Sequence, residues 1–360
     1  MGATEFPLGH ALAVQRWSTS LAVEAQVKQY FSKFMSAGDD GLVKIQKELE
    51  KKSGETITVG LRMKLAGDGV EGDNPIEGTT AEEALSFFND TLKINQRRKG
   101  TKSKGRMSEQ RVPYNMRKEG RDALSTWFAE DYDQQLFMYL SGARGIDTSF
   151  HVPIGWTGRA GNALSAPDSD HIVYGGDATA STDMDSSDLM ELSLVDRLVA
   201  KVETMDPQML PFMIDGEAKF VLLMHIFQAF AMRKATSNND WIDLHKNTDG
   251  KESLIYKNAL GEFNGVVLHK HRNVIRFSTY GSSANLTAAR ALFLGAQAAM
   301  IAWGGNGTGL GRYTWNEESD DRGNALAITA GSIYGVKKST YNSKDFGVIA
   351  VDTYYDDPNN

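Results

Sequence analysis

The chain has no cysteine and only eight prolines in 360 residues. Without thiols there are no disulfides, thiolate zinc sites, iron–sulfur clusters or cysteine nucleophiles. The fold therefore needs no oxidation, and a reducing cytoplasm is the expected compartment. No apolar run approaches the 18 or so residues of a membrane span. The first residues, "MGATEFPLGHALAVQRW", lack a basic start followed by an apolar core, so no signal peptide is expected. Phe6 stands where myristoylation favours Ser or Thr.

Catalytic and cofactor motifs are missing as well. "GGNGTGLGR" (304–312) has Leu310 after Gly309 where a Walker loop needs Lys, and its glycines at 305, 307, 309 and 311 miss the dinucleotide spacing. A surface loop is the simpler reading. In "DMDSSD" (183–188), an EF-hand frame from Asp183 puts Asp188 where Gly is needed and Leu194 where the bidentate Glu is needed. A helix-initiating segment with Ser187 as N-cap fits better. "HKH" puts His269 and His271 on one side of a strand. A metal site there would need further ligands, and structural roles are the alternative. The acid pairs Glu82/Glu83 and Glu317/Glu318 read as solvated faces. There is no H-E-x-x-H and no G-x-S-x-G. No enzyme class is supported, and no catalytic, cofactor or metal residue is assigned.

What is present is an ordinary globular composition, 41% hydrophobic and 24% charged, with 35 glycines. The length suggests about two domains. Helical spacing covers residues 10–35, and residues 41–54 read as a short helix or a polar connection. Ile57, Val59, Leu61, Met63 and Leu65 then alternate as in a half-buried strand. With "LKINQ" beyond a Gly- and Asp-rich turn, they suggest an extended hairpin. From Pro113 to Gly142, Leu124, Phe128, Tyr132, Leu136 and Leu140 form an unbroken i, i+4 ladder. Such a helix would span roughly 40 Å. Residues 142–190 read as a long loop. Helical spacing resumes at Asp188 with Leu189, Leu192, Val195, Leu198 and Val199 on one side. "AKFVLLMHIFQAFAMRKA" reads as a strand passing into a helix. "FNGVVLHKHRNVIRF" contains a strand, and "RALFLGAQAAMIAWGG" is an apolar strand or helix. The chain ends in two strand-like runs around a turn at "NSKD".

Charge is distributed unevenly. "LKINQRRKGTKSKGRMSEQRVPYNMRKEGR" runs from Leu92 to Arg121. From Lys93 to Arg121 eleven Lys or Arg face two acids, Glu109 and Glu119, a balance of +9 within a chain of −7, which leaves −16 elsewhere. A nucleic-acid module would interleave aromatics, but Tyr114 stands alone here. The alternatives are an acidic protein surface, another copy included, and a plain solvated loop.

"NDTLKINQ…GRMSEQRVPYNMRKEGRDALSTWFAEDYDQQLFMYLSG" resembles the major capsid proteins of N-four-like podoviruses and related tailed phages. The likeness continues through "GNALSAPDSDHIVYGG", "GVVLHKHRNV", "RALFLGAQAAMIAWGG" and "YGVKKSTYNSKDFGVIAVDTYY". These blocks keep the family's order over roughly 70–355, and the first 50 or so residues match least. The resemblance implies an α+β chain with the Hong Kong 97 type capsid fold. It implies an N-arm at 1–54 and an E-loop at 55–112 that reaches over a neighbour. A peripheral domain with the spine helix and long loop would cover 113–190, and an axial domain 191–330. The C-terminal strands, 331–360, would return to the peripheral sheet.

The function implied is self-assembly into an icosahedral shell around double-stranded DNA. Hexamers and pentamers form the shell, with portal and scaffold or decoration proteins as partners, no cofactor and no membrane. Assembly is expected in the bacterial host's cytoplasm, and the mature location is the virion. Arg97, Arg98, Lys99, Lys102, Lys104 and Arg106 are the residues expected to contact an acidic neighbour. Rival readings are an encapsulin-like compartment, told apart by neighbouring genes, and a DNA-binding protein, told apart by salt-sensitive DNA binding of the unassembled chain. A hydrolase without a motif is a third.

Overall fold

The computed structural model describes residues 11–39, 41–49, 54–63, 65, 68–78, 82–111, 113–214, 216–236, 259–305 and 312–358. Residues 306–311, most of the glycine-rich loop, lie outside the described residues. Helices among them are α1 (Ala11–Lys28), α2 (Arg106–Gln110), α3 (Met116–Ser141), α4 (Leu192–Thr204) and α5 (Ile226–Ala235).

The long helix starts three residues after Pro113, because Asn115 caps it. The Asn115 side chain accepts from Arg117 N at 3.0 Å and Lys118 N at 3.3 Å. Gly142 ends it in the left-handed region, at φ 68°. Leu124, Phe128, Tyr132, Leu136 and Leu140 are all buried. From Asp131 onward burial is complete on every side, because two sheets and the 3-10 turn Tyr30–Phe34 after α1 enclose this half. Each fully buried Leu or Phe there contributes roughly 1.5–3 kcal/mol.

The first sheet has six strands. Its path runs Met35–Ser36, Val43–Gln46, Ala299–Trp303, Ala325–Lys338 and Thr314–Asp320, and Asn95–Lys102 lies along the other side of Ala325–Lys338. Ile301, Trp303, Ala330, Tyr334 and Val336 turn toward α3. Met300 and Ala302 turn the opposite way, toward Leu49, Ile57, Leu92 and Ile94.

The second sheet has eight strands. Its path runs Ala259–Phe263, Val266–Lys270, Glu217–Met224, Leu286–Leu294, Val348–Tyr354 and Ile172–Tyr174, flanked by Phe212–Ile214 and Arg276–Tyr280. It is covered on both faces, which is why its central strands are almost continuously apolar. Val221, Leu223, Leu292 and Leu294 meet the α3 cluster. Leu222, Met224, Phe293 and Val351 meet α4 and α5.

The sheets cut across the expected boundaries at 190 and 330. Ala299–Trp303 and Thr314–Asp320 join the six-stranded sheet, although they precede 330. Val348–Tyr354 lies inside the eight-stranded sheet, hydrogen-bonded between Leu286–Leu294 and Ile172–Tyr174, and not with Ala325–Lys338. Residues 41–54 contribute a strand, Val43–Gln46, rather than a helix. Helix α4 starts at Leu192, after Glu191. Ser187 does not cap it, since its N–H and hydroxyl are both donated to Asp185 Oδ1, at 2.7 and 2.6 Å.

Candidate assembly surface

The expected hairpin exists, but it is shorter than the sequence implied. Thr56–Arg62 pairs antiparallel with Phe87–Lys93, from Thr56 opposite Lys93 to Arg62 opposite Phe87. Its base is fixed from three directions. Asn162 accepts from Lys93 N at 3.0 Å and donates to Lys93 O at 2.8 Å. Asp90, buried, accepts from Lys337 Nζ and from Thr340 N at 3.1 Å. Ile57 and Leu92 sink into the small cluster beneath the six-stranded sheet.

The basic run does not continue this hairpin. Asn95–Lys102 is an edge strand of the six-stranded sheet, in register with Ala327–Tyr334 from Lys102 opposite Ala327 to Asn95 opposite Tyr334. Arg97, Arg98, Lys99 and Lys102 therefore sit on the body of the protein, and Lys104 and Arg106 lead into α2. The hairpin itself thus ends near residue 94, short of the 112 expected for it. The reason is non-local pairing, since Ala325–Lys338 supplies a ladder that the polar stretch alone would not form.

The six residues separate into two groups. Arg97 is used internally: its Nη2 donates to Asp131 at 2.6 Å, and its guanidinium lies 5.2 Å from the Trp127 ring. Asp131 is 1% exposed and also accepts from Gln135 Nε2 at 2.8 Å and Tyr334 Oη at 2.7 Å. Burial, then the nearby carboxylate, holds the Tyr334 phenol well above its ordinary range, so it stays a donor. Lys102 pairs with Asp320 at the surface, and that hydrogen bond raises its pKa. Lys99 lies 5.5 Å from Trp127 on the exposed side. Arg98, Lys104 and Arg106 are exposed, with no ion pair among the described residues.

This division makes a testable distinction. Arg97→Ala should lower the stability of the unassembled chain by about 2 kcal/mol, because a buried carboxylate loses a charged donor. Arg98→Ala should leave it within about 0.5 kcal/mol. Urea unfolding of both variants measures this, and equal losses would contradict the assignment. The sequence carried one overlooked signal for Asp131, namely polar "DYDQQ" inside an apolar ladder.

The histidines of "HKH" enter aromatic contacts. His271 stacks on Phe137 at 4.9 Å, and the His269 ring meets Phe34 edge-on at 5.6 Å. Desolvation lowers the His271 pKa to about 4. Among the described residues no group of three or more His, Asp or Glu is arranged to hold a metal ion.

A shell-forming role can now be weighed against known proteins. The family model described as phage capsid protein matches residues 5–356. The chain belongs to the phage capsid protein family. It is similar to the capsid of Ralstonia phage GP4, at 37% identity over the whole of both chains, with a TM-score of 0.86. It is 26% identical to the major capsid protein of Pseudomonas phage KPP25, over 93% of each chain. The capsid of cyanophage Pam1 shares the fold at 18% identity, with a TM-score of 0.71 over 91% of this chain and 92% of that one. The fold of this capsid-family chain is the α+β Hong Kong 97 type that the sequence blocks implied. Within it, α3 lies between the two sheets, and the base of the hairpin packs beneath the six-stranded sheet.

Proposed function

We infer that this chain is the major capsid protein of a tailed phage, whose work is assembly rather than turnover. The observation that carries this reading is the end-to-end match to the GP4 capsid at 37% identity. In this reading many copies form hexamers and pentamers that enclose double-stranded DNA without reading its sequence. Portal and scaffold or decoration proteins are partners, and assembly takes place in the host cytoplasm. The segment before residue 54 acts as the N-arm, and the hairpin Thr56–Lys93 as the reaching loop. Helix α3 with the six-stranded sheet forms the peripheral part. The eight-stranded sheet with α4 and α5 forms the axial part. The exposed basic residues Arg98, Lys99, Lys104 and Arg106 contact a neighbouring copy.

The physical support is the hairpin. A two-stranded ribbon is marginal by itself in water, and this one leaves large apolar side chains open. A second copy is the natural cover for such a surface. Negative-stain microscopy of the purified chain tests the reading, with uniform shells or capsomers as the expected outcome. A persistent monomer that binds DNA in a salt-sensitive way would overturn it.

A further inference from the structure

The turn at "NSKD" folds the end of a long strand back on itself. Strand Ala325–Lys338 of the six-stranded sheet ends at Lys338. Thr340–Tyr341 then pairs antiparallel with Lys344–Asp345, with Thr340 opposite Asp345. Asn342 and Ser343 make the two-residue turn at φ 50° and 61°, the left-handed region that such a turn needs. Val348–Tyr354 follows at once, in the eight-stranded sheet. This small hairpin is thus the crossing from one sheet to the other, and it brings Asp345 back to Lys338.

Successive side chains of a strand point to opposite sides, and the two adjacent lysines do so here. Lys337 is part-exposed and pairs with Asp90. Lys338 turns inward, its side chain 1% exposed against 4% for its partner Asp345. Among the described residues this is the one lysine–carboxylate pair with both partners so deeply buried. Nζ donates to Asp345 Oδ2 at 2.8 Å and to Ser165 O at 2.9 Å, and the two bonds fix its direction. Asp345 is held in turn. Its N–H donates to Asp168 Oδ2 at 2.7 Å, and Asp168 is paired with His171 Nδ1 at 2.9 Å.

Keeping both charges out of water is costly. Burial lowers the Lys338 pKa and raises that of Asp345, toward the free amine and the neutral acid. These are the nucleophile and the electrophile of amide formation. A well-oriented pair in contact reaches effective concentrations on the order of 10⁵ M or more. A neutral amide would remove both buried charges. A cleft of about 360 Å³, lined by Ser165, Thr340 and Asp345 among others, opens beside the carboxyl and gives released water a way out.

We propose that the Lys338 amine and the Asp345 carboxyl condense into an amide within the chain. Nζ bonds to Cγ, and one Cγ–O bond breaks. Of the three hydrogens on the ammonium nitrogen, one stays on the amide and two leave with the carboxylate oxygen as water. No oxidant, reductant or other reactant is consumed. The bond joins no two copies and does not depend on the shell reading. It closes the crossing hairpin and fastens the approach to Val348–Tyr354 to the end of Ala325–Lys338.

Mass spectrometry of the purified chain, folded and then denatured, tests it. The wild-type chain should be lighter than its sequence mass by one water. Trypsin cuts after Lys344, and the fragments 338–344 and 345–360 should stay joined, with a free amino terminus at Asp345. Lys338→Arg and Asp345→Ala should each show the full sequence mass, and Lys337→Arg should keep the loss. The wild-type measurements need no variant, so poor folding of Lys338→Arg leaves the test intact. A wild-type chain of full sequence mass overturns the proposal. So does a loss of water that survives in Lys338→Arg, or tryptic fragments 338–344 and 345–360 that separate.

Discussion

Alanine at position 352 should destabilise the chain by about 3–5 kcal/mol, because it strands a buried guanidinium. Asp352 is fully buried on Val348–Tyr354, directly opposite Arg290 in the register with Leu286–Leu294. It takes a bidentate pair from Arg290, Nε to Oδ1 and Nη2 to Oδ2, both at 2.7 Å. Tyr280 Oη also donates to Oδ2, at 2.7 Å. Burial, then the charge of Asp352, keeps the Tyr280 phenol far above its ordinary range, so it donates throughout the accessible pH range. The remaining guanidinium nitrogen, Nη1, donates to Ser141 O at 2.9 Å. That carbonyl belongs to the last turn of α3, whose acceptors have no partner within the helix. The pair therefore joins the eight-stranded sheet to the end of α3. Denaturant unfolding of Asp352→Ala measures the loss, and a cost below about 1 kcal/mol would refute the account. Replacing both partners, Arg290→Met with Asp352→Leu, should recover part of the loss, since the stranded charge leaves with its carboxylate.

Neither Arg290 nor Asp352 is conspicuous in the sequence, and this marks where reading the chain stops. The α3 ladder was legible because every contact it needs is announced at i, i+4. Its start was read two or three residues early, because Pro113 drew attention away from Asn115. The alternating run from Ile57 was also legible as a strand, but alternation cannot say how far cover extends, so Leu65 was expected to be half-buried. Asn95–Lys102 is polar on both faces and carries no strand signal of its own. It is a strand because Ala327–Tyr334, more than 200 residues later, pairs with it. Partners well separated in sequence, Leu286–Leu294 and Ile172–Tyr174, also decide which sheet receives Val348–Tyr354. The basic residues were legible as a run of charge. Their position on the body and the sinking of Arg97 toward Asp131 depended on contacts that only the fold supplies.

Asp133 should give the chain a measurable pH dependence of its own. It sits on α3, 5% exposed, and holds the 3-10 turn Tyr30–Phe34 that follows α1. Oδ2 accepts from Tyr30 N at 2.7 Å and Oδ1 from Phe31 N at 3.1 Å. Desolvation raises its pKa to about 7, although the two N–H donors favour the ionised form and pull the other way. The native state therefore binds this proton more tightly than the unfolded chain does. Between about pH 4 and pH 7 the native state holds the proton while the unfolded chain has released it, so stability falls as pH rises through that window. The full effect is on the order of 4 kcal/mol. Nearby groups act in other directions. His271, 4.5 Å from the Tyr30 ring and with a pKa lowered to about 4, adds stability as pH rises from about 4 toward its unfolded value. Lys33, lowered to about 8 by burial, does the same only above that pH. The total curve is thus a sum, and Asp133→Asn isolates one part of it. Asn keeps the shape and one acceptor but cannot ionise. Unfolding midpoints of the unassembled chain at pH 5 and pH 8 should show wild type losing more stability than the variant over this interval. Parallel curves would mean that Asp133 stays ionised in the native state, with the two backbone donors outweighing burial.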